Sequence, residues 1–150
     1  MNALVAAGAG FLLAVLWFDL MHDVQALGHR SEERLPEGVL ASIAGYYRRV
    51  TTDARPMNRL VALAMLVTLG AIVAEIARDD VPAWVGWASL ALAGAAVVLA
   101  GAHTVGAAVR LGSRRDPPEV QSQLARSVLR DHLLCFPAIA AVIVLQVAFA

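Results

Sequence analysis

The chain has 150 residues, of which 59% are hydrophobic and 16% are charged, and its mean hydropathy is +0.67. This composition excludes an ordinary soluble domain, in which roughly 45–50% of the residues are apolar. The formal net charge is zero at pH 7, so net charge predicts no nucleic-acid partner. Cys135 is the only cysteine in the sequence, which excludes an intrachain disulfide and a cysteine-based metal motif.

Four apolar runs predict membrane-spanning helices. They cover about residues 3–22, 60–77, 84–105 and 133–150. Each run is close to the ~20 residues that a helix needs to cross the hydrocarbon core of a bilayer. The first run lacks the positively charged start of a signal peptide, so we interpret it as a retained span. The sequence therefore predicts an all-α integral membrane protein, a single domain in which four transmembrane helices form an up-down bundle.

The positions of the arginines predict the orientation of this bundle. The sequence has no lysine, and eleven of its twelve basic residues lie in two segments, 25–59 and 109–131. The remaining one, Arg78, lies in the short turn between spans 2 and 3. Because basic residues favour the cytoplasmic side of a membrane, we expect both segments to be cytoplasmic and both termini to be outside. The expected location is a bacterial inner membrane.

Both cytoplasmic segments contain a predicted amphipathic helix. Apolar residues recur every three or four positions after Pro36 and again after Pro118. Each helix would lead into the following span, either as an extension of it or lying on the membrane surface. Proline inside a helix removes a hydrogen bond and clashes with the preceding turn, so we expect kinks at Pro56 and Pro137.

The third span is rich in glycine and alanine. Small residues let helices approach closely in lipid, where packing drives their association. We interpret these residues as close contacts within the bundle. The alternative is an interface between copies of the chain in a homo-oligomer.

Polar side chains near the cytoplasmic ends of the spans predict a functional layer. Counted from the outer ends at ~1.5 Å per residue, His22, Asn58, His103 and His132 all lie about 28 Å deep, within roughly one helical turn of a common plane. Ionisable groups at membrane depth are costly, and they usually face the bundle interior or serve a site. Asp19 carries most weight here, because a short carboxylate that lies deeper than the interface cannot extend to water as arginine does.

The first span supplies the most concentrated part of this layer. Asp19, His22 and Asp23 are spaced i, i+3 and i+4, so they share one face of the helix. Tyr46 and Tyr47 of the first cytoplasmic helix are placed to cover the layer. The sequence therefore predicts a histidine–carboxylate site at this level of the bundle.

Three chemistries fit such a layer. The first is proton abstraction by a neutral histidine that a carboxylate orients, such as His22 with Asp19 or Asp23. The second is a metal ion and the third is a b-type haem, and His22, His103 and His132 are the candidate ligands of either group. The structural alternative is that these side chains only meet headgroups and water, as we expect for Glu75 near the outer end of the second span.

Several short segments resemble the anthrone-oxygenase-like family of small four-span membrane proteins. These segments are Tyr46–Arg49, Arg55–Arg59, His103–Arg110 and Arg130–Leu134. In that family the third span commonly ends in an Asn-Val-Pro-type motif, whereas this chain has Ala102–Gly106 at the corresponding place.

The resemblance implies that molecular oxygen oxidises a lipophilic, phenol-like substrate without a dedicated cofactor. The resemblance assigns three roles to the candidate catalytic residues. The base is His132 or His22, and the carboxylate that orients it is Asp19 or Asp23. The donor to the oxyanion is Asn58, His103 or Arg55. A different class of function is also open. The chain would then be a non-enzymatic accessory or scaffold subunit, whose basic helices bind anionic lipid or a larger complex.

Overall fold

The structure is a computed structural model that describes residues 2–149, without the side chain of Arg55. Its α-helices in chain order are α1 (Asn2–Asp23), α2 (Glu37–Arg48), α3 (Arg55–Arg78), α4 (Ala83–Leu99), α5 (Val105–Ser113) and α6 (Pro118–Phe149). A 3-10 helix follows α1 at Val24–His29, and π-helical segments follow α2 at Arg49–Asp53 and α4 at Ala100–Thr104. The described residues contain no β-strand, so the predicted all-α fold is confirmed.

Four helical stretches are long and apolar enough to cross a membrane. They are Asn2–His29, Pro56–Arg78, Ala83–Ser113 and Pro118–Phe149. Only 22% to 28% of the most apolar window of each stretch is buried inside the protein, so most of this apolar surface requires lipid. The chain is therefore an integral membrane protein.

The four stretches form the predicted bundle. α1 packs against α3 and α6, and α4 packs against the same two helices. Within residues 2–149, the backbones of α1 and α4 do not approach each other closely, and neither do those of α3 and α6. These two pairs are diagonal, which is the arrangement of a simple up-down four-helix bundle.

A tight turn joins α3 to α4, and we call this end of the bundle the turn end. Asp79 adopts the left-handed conformation with φ of 52°, which Asp tolerates better than most residues. The backbone N–H of Asp79 donates to the Ile76 carbonyl, and that of Asp80 donates to the Glu75 carbonyl. Pro82 then precedes the first residue of α4. These bonds close the end of α3 and return the chain directly into the bundle.

The opposite end, which we call the loop end, has a core of its own. The amphipathic helix predicted after Pro36 is present as α2. It packs against α5 and the first half of α6, whereas the sequence predicted an extension of the next span or a helix on the membrane surface. The buried residues of this core are Ala26, Leu35, Leu40, Ile43, Ala44, Tyr47, Ala107, Ala108, Leu111, Ala125, Val128 and Leu129. A Cβ atom on Gly112 of α5 would lie 2.7 Å from the backbone nitrogen of Arg48, so the two helices touch through their backbones. α2 is therefore held by packing against other helices of the protein.

The second predicted amphipathic helix is a direct extension of the fourth span. α6 continues as one helix from Pro118 to Phe149 and passes through Pro137, which lies at an exposed position. Pro56 is in the first turn of α3, where its missing N–H would have no intrahelical partner. Two further irregular turns next to the spans are the π-helical segments.

The glycines of the third span have different surroundings. Gly86 is buried, and a Cβ atom there would lie 2.6 Å from Cγ1 of Ile76 on α3. This is the close contact within the bundle that the sequence predicts. Around Gly94, Gly101 and Gly106, a Cβ atom would meet nothing within 4 Å.

Candidate functional site

A group of polar side chains crosses the bundle near its loop end, and we call it the Asp–His layer. Its members are Asp19 and Asp23 of α1, Tyr46 and Tyr47 of α2, and His132 of α6. The two carboxylates are one helical turn apart, so they face the same side of α1. Asp23 is fully buried, and His132 and Tyr47 are almost so. The layer therefore joins α1, α2 and α6 inside the protein.

His132 lies between the two carboxylates. Its Nδ1 is 2.7 Å from Oδ2 of Asp23, and its Nε2 is 3.7 Å from Oδ2 of Asp19. A hydrogen bond to a carboxylate requires a proton on Nδ1, so Nε2 carries the lone pair in the neutral ring. Nε2 is thus the atom that can accept a proton, and Asp19 is close enough to stabilise the imidazolium that forms.

The two tyrosines supply hydrogen-bond donors to the carboxylates. The Tyr47 hydroxyl donates to Oδ1 of Asp23 and the Tyr46 hydroxyl donates to Oδ1 of Asp19, each over 2.7 Å. Burial raises the pKa of both phenols above the usual value, and the facing carboxylates raise it further. Both phenols therefore keep their protons, and each carboxylate of the layer has a permanent donor.

His22 lies at the edge of this layer. Its ring stacks on Tyr46 with 3.9 Å between the ring centroids and 10° between the planes, and its Nδ1 is 3.1 Å from the Phe18 carbonyl oxygen. Among the described residues, neither Asp19 nor Asp23 is hydrogen-bonded to it. Of the two predicted bases, His132 is the one that a carboxylate orients.

A second histidine–carboxylate pair lies beside the layer. Nδ1 of His103 is 2.5 Å from Oδ2 of Asp131, and the Thr104 hydroxyl donates to the same oxygen over 2.9 Å. Nε2 of His103 is 3.2 Å from the Ser127 hydroxyl. The His103 side chain is 45% exposed, whereas that of Asp131 is 1% exposed. This pair joins the second π-helical segment to α6, so His103 reaches a different carboxylate from the one that His132 uses.

The other predicted oxyanion donors are at the start of α3. Asn58 is exposed, and its Nδ2 donates to the Thr51 carbonyl over 3.0 Å, which ties α3 to the first π-helical segment. The side chain of Arg55 lies outside the described residues. Asn58 makes no hydrogen bond with the Asp–His layer in the described part of the chain, but it lines the cavity beside that layer.

This cavity has a volume of about 440 Å³ and mostly apolar walls. Helices α1, α3, α4, α5 and α6 supply its apolar lining, which includes Leu12, Leu16, Val61, Met65, Val97, Val105, Cys135 and Ile139. Asp19, Tyr47 and His132 form a polar part of the wall, and Asn58 and Arg59 of α3 form another. Concave, largely apolar sites of this size with a few polar groups are typical of small-molecule binding.

Both π-helical segments also line the cavity. Val50 and Thr51 belong to the first segment, and Ala100 and Thr104 belong to the second. π-helical turns are rare, and they are frequent at functional sites. Sequence reasoning missed these segments, because no residue pattern specifies the extra residue in the turn.

The structure also shows how the predicted metal ligands are placed. In residues 2–149, no three histidine, cysteine or acidic side chains are arranged to hold a metal ion. His22, His103 and His132 each have a separate partner, namely Tyr46, Asp131 and Asp23.

No family model, no curated protein and no solved structure matches the chain. The fold and the site define its class: an integral membrane four-helix bundle with a histidine–carboxylate layer beside an apolar cavity.

Proposed function

We propose that the protein is a membrane enzyme that removes a proton from a lipophilic, phenol-like substrate and oxidises this substrate with molecular oxygen, without a dedicated cofactor. The observation that carries the proposal is the hydrogen bond from His132 Nδ1 to Asp23, which leaves Nε2 as the proton acceptor at the wall of an apolar cavity. A general base oriented in this way accelerates proton transfer by typically about 10²–10⁴-fold. The apolar lining favours a substrate that partitions into the bilayer.

The substrate class is an aromatic ketone with an activated CH₂ group, the tautomer of a phenol. Nε2 of His132 takes one proton from this carbon, and the electron pair delocalises onto the substrate oxygen. O₂ accepts these electrons and bonds to the carbon as a peroxide, which the imidazolium then protonates. The hydroperoxide loses water and leaves a new C=O group. One oxygen atom enters the product and the other leaves as water, together with both hydrogens of the CH₂ group.

The remaining residues of the site support this base. Asp23 holds His132 in one tautomer, Tyr47 holds Asp23, and Asp19 stabilises the imidazolium. Asn58 lines the cavity and is the predicted donor to the developing oxyanion, a role that requires its amide to turn from Thr51 to the substrate.

The test measures oxygen uptake with anthrone as the substrate probe and purified protein in detergent. We expect the protein to speed the conversion of anthrone to anthraquinone over the protein-free rate, with one O₂ consumed per product. Since His132→Gln removes the base, it should lower this acceleration by about 100-fold or more. His29→Ala is the matched control, because His29 pairs with Glu32 in the connecting segment. Equal acceleration by the parent and by a folded His132→Gln variant would refute the proposal.

We further infer that the loop end faces the cytoplasm of a bacterial cell. Eleven of the twelve basic residues lie in the segments at that end, and the turn end has only Arg78. The positive-inside rule supports this orientation. Substrate would then enter the cavity from the inner leaflet.

A further inference from the structure

Arg59 brings a positive charge to the margin of the apolar cavity. Among the described side chains that line this cavity, it is the one arginine. It lies near the start of α3, and Ala62 and Met65 continue the cavity wall at intervals of three residues along the same helix. Arg59 therefore lies where the apolar wall of α3 ends, towards the loop end.

The ion pairs among residues 2–149 leave Arg59 without a carboxylate. The arginines that form these pairs are Arg34, Arg48, Arg110, Arg114 and Arg130. Asp19 is the carboxylate of the cavity wall, and it is engaged elsewhere. It accepts a hydrogen bond from Tyr46 and lies 3.7 Å from Nε2 of His132. The cavity thus has a negative group beside the Asp–His layer and a separate positive group on α3.

The cavity reaches the protein surface beside Arg59. Four residues of its lining also line a groove at the surface, namely Thr51, Asn58, Arg59 and Val109. Within residues 2–149, the backbones of α3 and α5 do not approach each other closely, and the first π-helical segment contacts both helices. A gap therefore remains between α3 and α5, and Arg59 lies at its edge. A ligand that enters through this gap passes the guanidinium group before it reaches the apolar lining.

We propose that the cavity binds an acidic amphiphile, whose carboxylate pairs with Arg59 and whose apolar body fills the cavity. A guanidinium group presents N–H donors in a fixed fork that matches a carboxylate. Asp19 repels the acidic end, so the apolar end of the ligand is the one that meets His132. The inference deepens the proposed function, on which it rests for the identity of this ligand as the substrate. The substrate would then be an aromatic ketone that carries an acidic group.

The experiment measures the binding of two fluorescent probes that differ in charge, anthracene-2-carboxylate and 2-(hydroxymethyl)anthracene, with purified protein in a neutral detergent. The parent should bind the acid roughly tenfold more tightly than the alcohol, the low end for a hydrogen bond between charged groups because Arg59 is exposed. Arg59→Gln should lose this preference and keep its affinity for the alcohol. Arg49→Gln is the matched control, because Arg49 is exposed at the same end and lies outside the cavity lining.

A second pair of variants tests whether the apolar body occupies the cavity. Ala62 is exposed and lines the cavity, whereas its neighbour Leu63 is exposed and lies outside the lining. Ala62→Trp should weaken the binding of both probes, and Leu63→Trp should weaken neither.

Three results would each overturn the proposal. The parent could bind the two probes alike, which is the result expected if Arg59 only meets lipid headgroups, and this comparison requires no variant. Arg49→Gln could abolish the preference as fully as Arg59→Gln does, or Ala62→Trp and Leu63→Trp could behave alike. Neither probe has an activated CH₂ group, so these outcomes do not depend on turnover and are separate from the oxygen-uptake test of His132→Gln.

Discussion

At the loop end of the bundle, Asp23 is fully buried and accepts hydrogen bonds from Tyr47 and from His132. At the turn end, Glu75 is equally buried, and within the described residues neither of its oxygens has a donor. The same chemical group is therefore enclosed in two different ways. Partners supplied by the chain fix a carboxylate in place and orient the histidine beside it. Glu75 has no comparable pair of hydrogen-bond donors among the described residues, so its carboxyl group is not fixed in the same way.

The largest expected effect is the removal of the central partner at the loop end. His132→Ala would leave Asp23 buried with Tyr47 as its remaining donor, and we expect a loss of roughly 3–5 kcal/mol in the free energy of unfolding. Denaturant titration in detergent measures this loss. Leu134→Ala is the control on the same helix, because Leu134 is exposed to lipid and should change little. A loss below about 1 kcal/mol would show that the two ends do not differ in the way that we describe.

The next effect concerns packing at the two ends. A Cβ atom on Gly112 would meet the backbone of Arg48, which cannot move without shifting α2, so Gly112→Ala should cost about 1–3 kcal/mol. At the turn end, a Cβ atom on Gly86 would meet the side chain of Ile76 and not backbone, and moving one side chain costs less than shifting a helix, so Gly86→Ala should cost less. Gly106→Ala is the control, since a Cβ atom there would meet nothing within 4 Å. Thermal unfolding of the three variants gives the order of their losses in stability. Equal losses for Gly86→Ala and Gly112→Ala would show that packing is equally tight at the two ends.

The smallest expected effect concerns the tyrosine donors. Tyr47→Phe removes one of the two partners of the buried Asp23, and we expect a loss of about 1–2 kcal/mol. Tyr46→Phe should cost less, because Asp19 and Tyr46 are only partly buried. The same unfolding assay measures both variants. If Tyr46→Phe caused the larger loss, the hydrogen bond to Asp19 would contribute more to stability than the hydrogen bond to Asp23.

The level of the polar residues could be predicted from the sequence, because the rise of a helix per residue is constant. Counting from the span ends placed His22, His103 and His132 at one depth. The structure shows that His103 pairs with Asp131 and that His132 pairs with Asp23. Counting could not predict these pairs, because they depend on how each helix is rotated about its own axis.

The remaining differences have similar physical reasons. Glu75 is three residues from the end of α3, so its position along the helix suggested the interface. Its surroundings depend on α6, which continues to Phe149 and brings Gln146 beside it. The π-helical segments at Arg49–Asp53 and Ala100–Thr104 escaped prediction because one extra residue in a turn leaves no periodic signal.

The unbroken course of α6 has a mechanical consequence. His132 and Gln146 stand on one rod, fourteen positions apart, which corresponds to about 21 Å at ~1.5 Å per residue. A continuous helix is stiff along its axis, so a shift of one of these residues along the axis is passed in part to the other. Pro137 lies between them, and the hydrogen bond that it lacks makes this the softest point of the rod. A displacement that passes along α6 between the loop end and the turn end therefore has to cross the turn that contains Pro137.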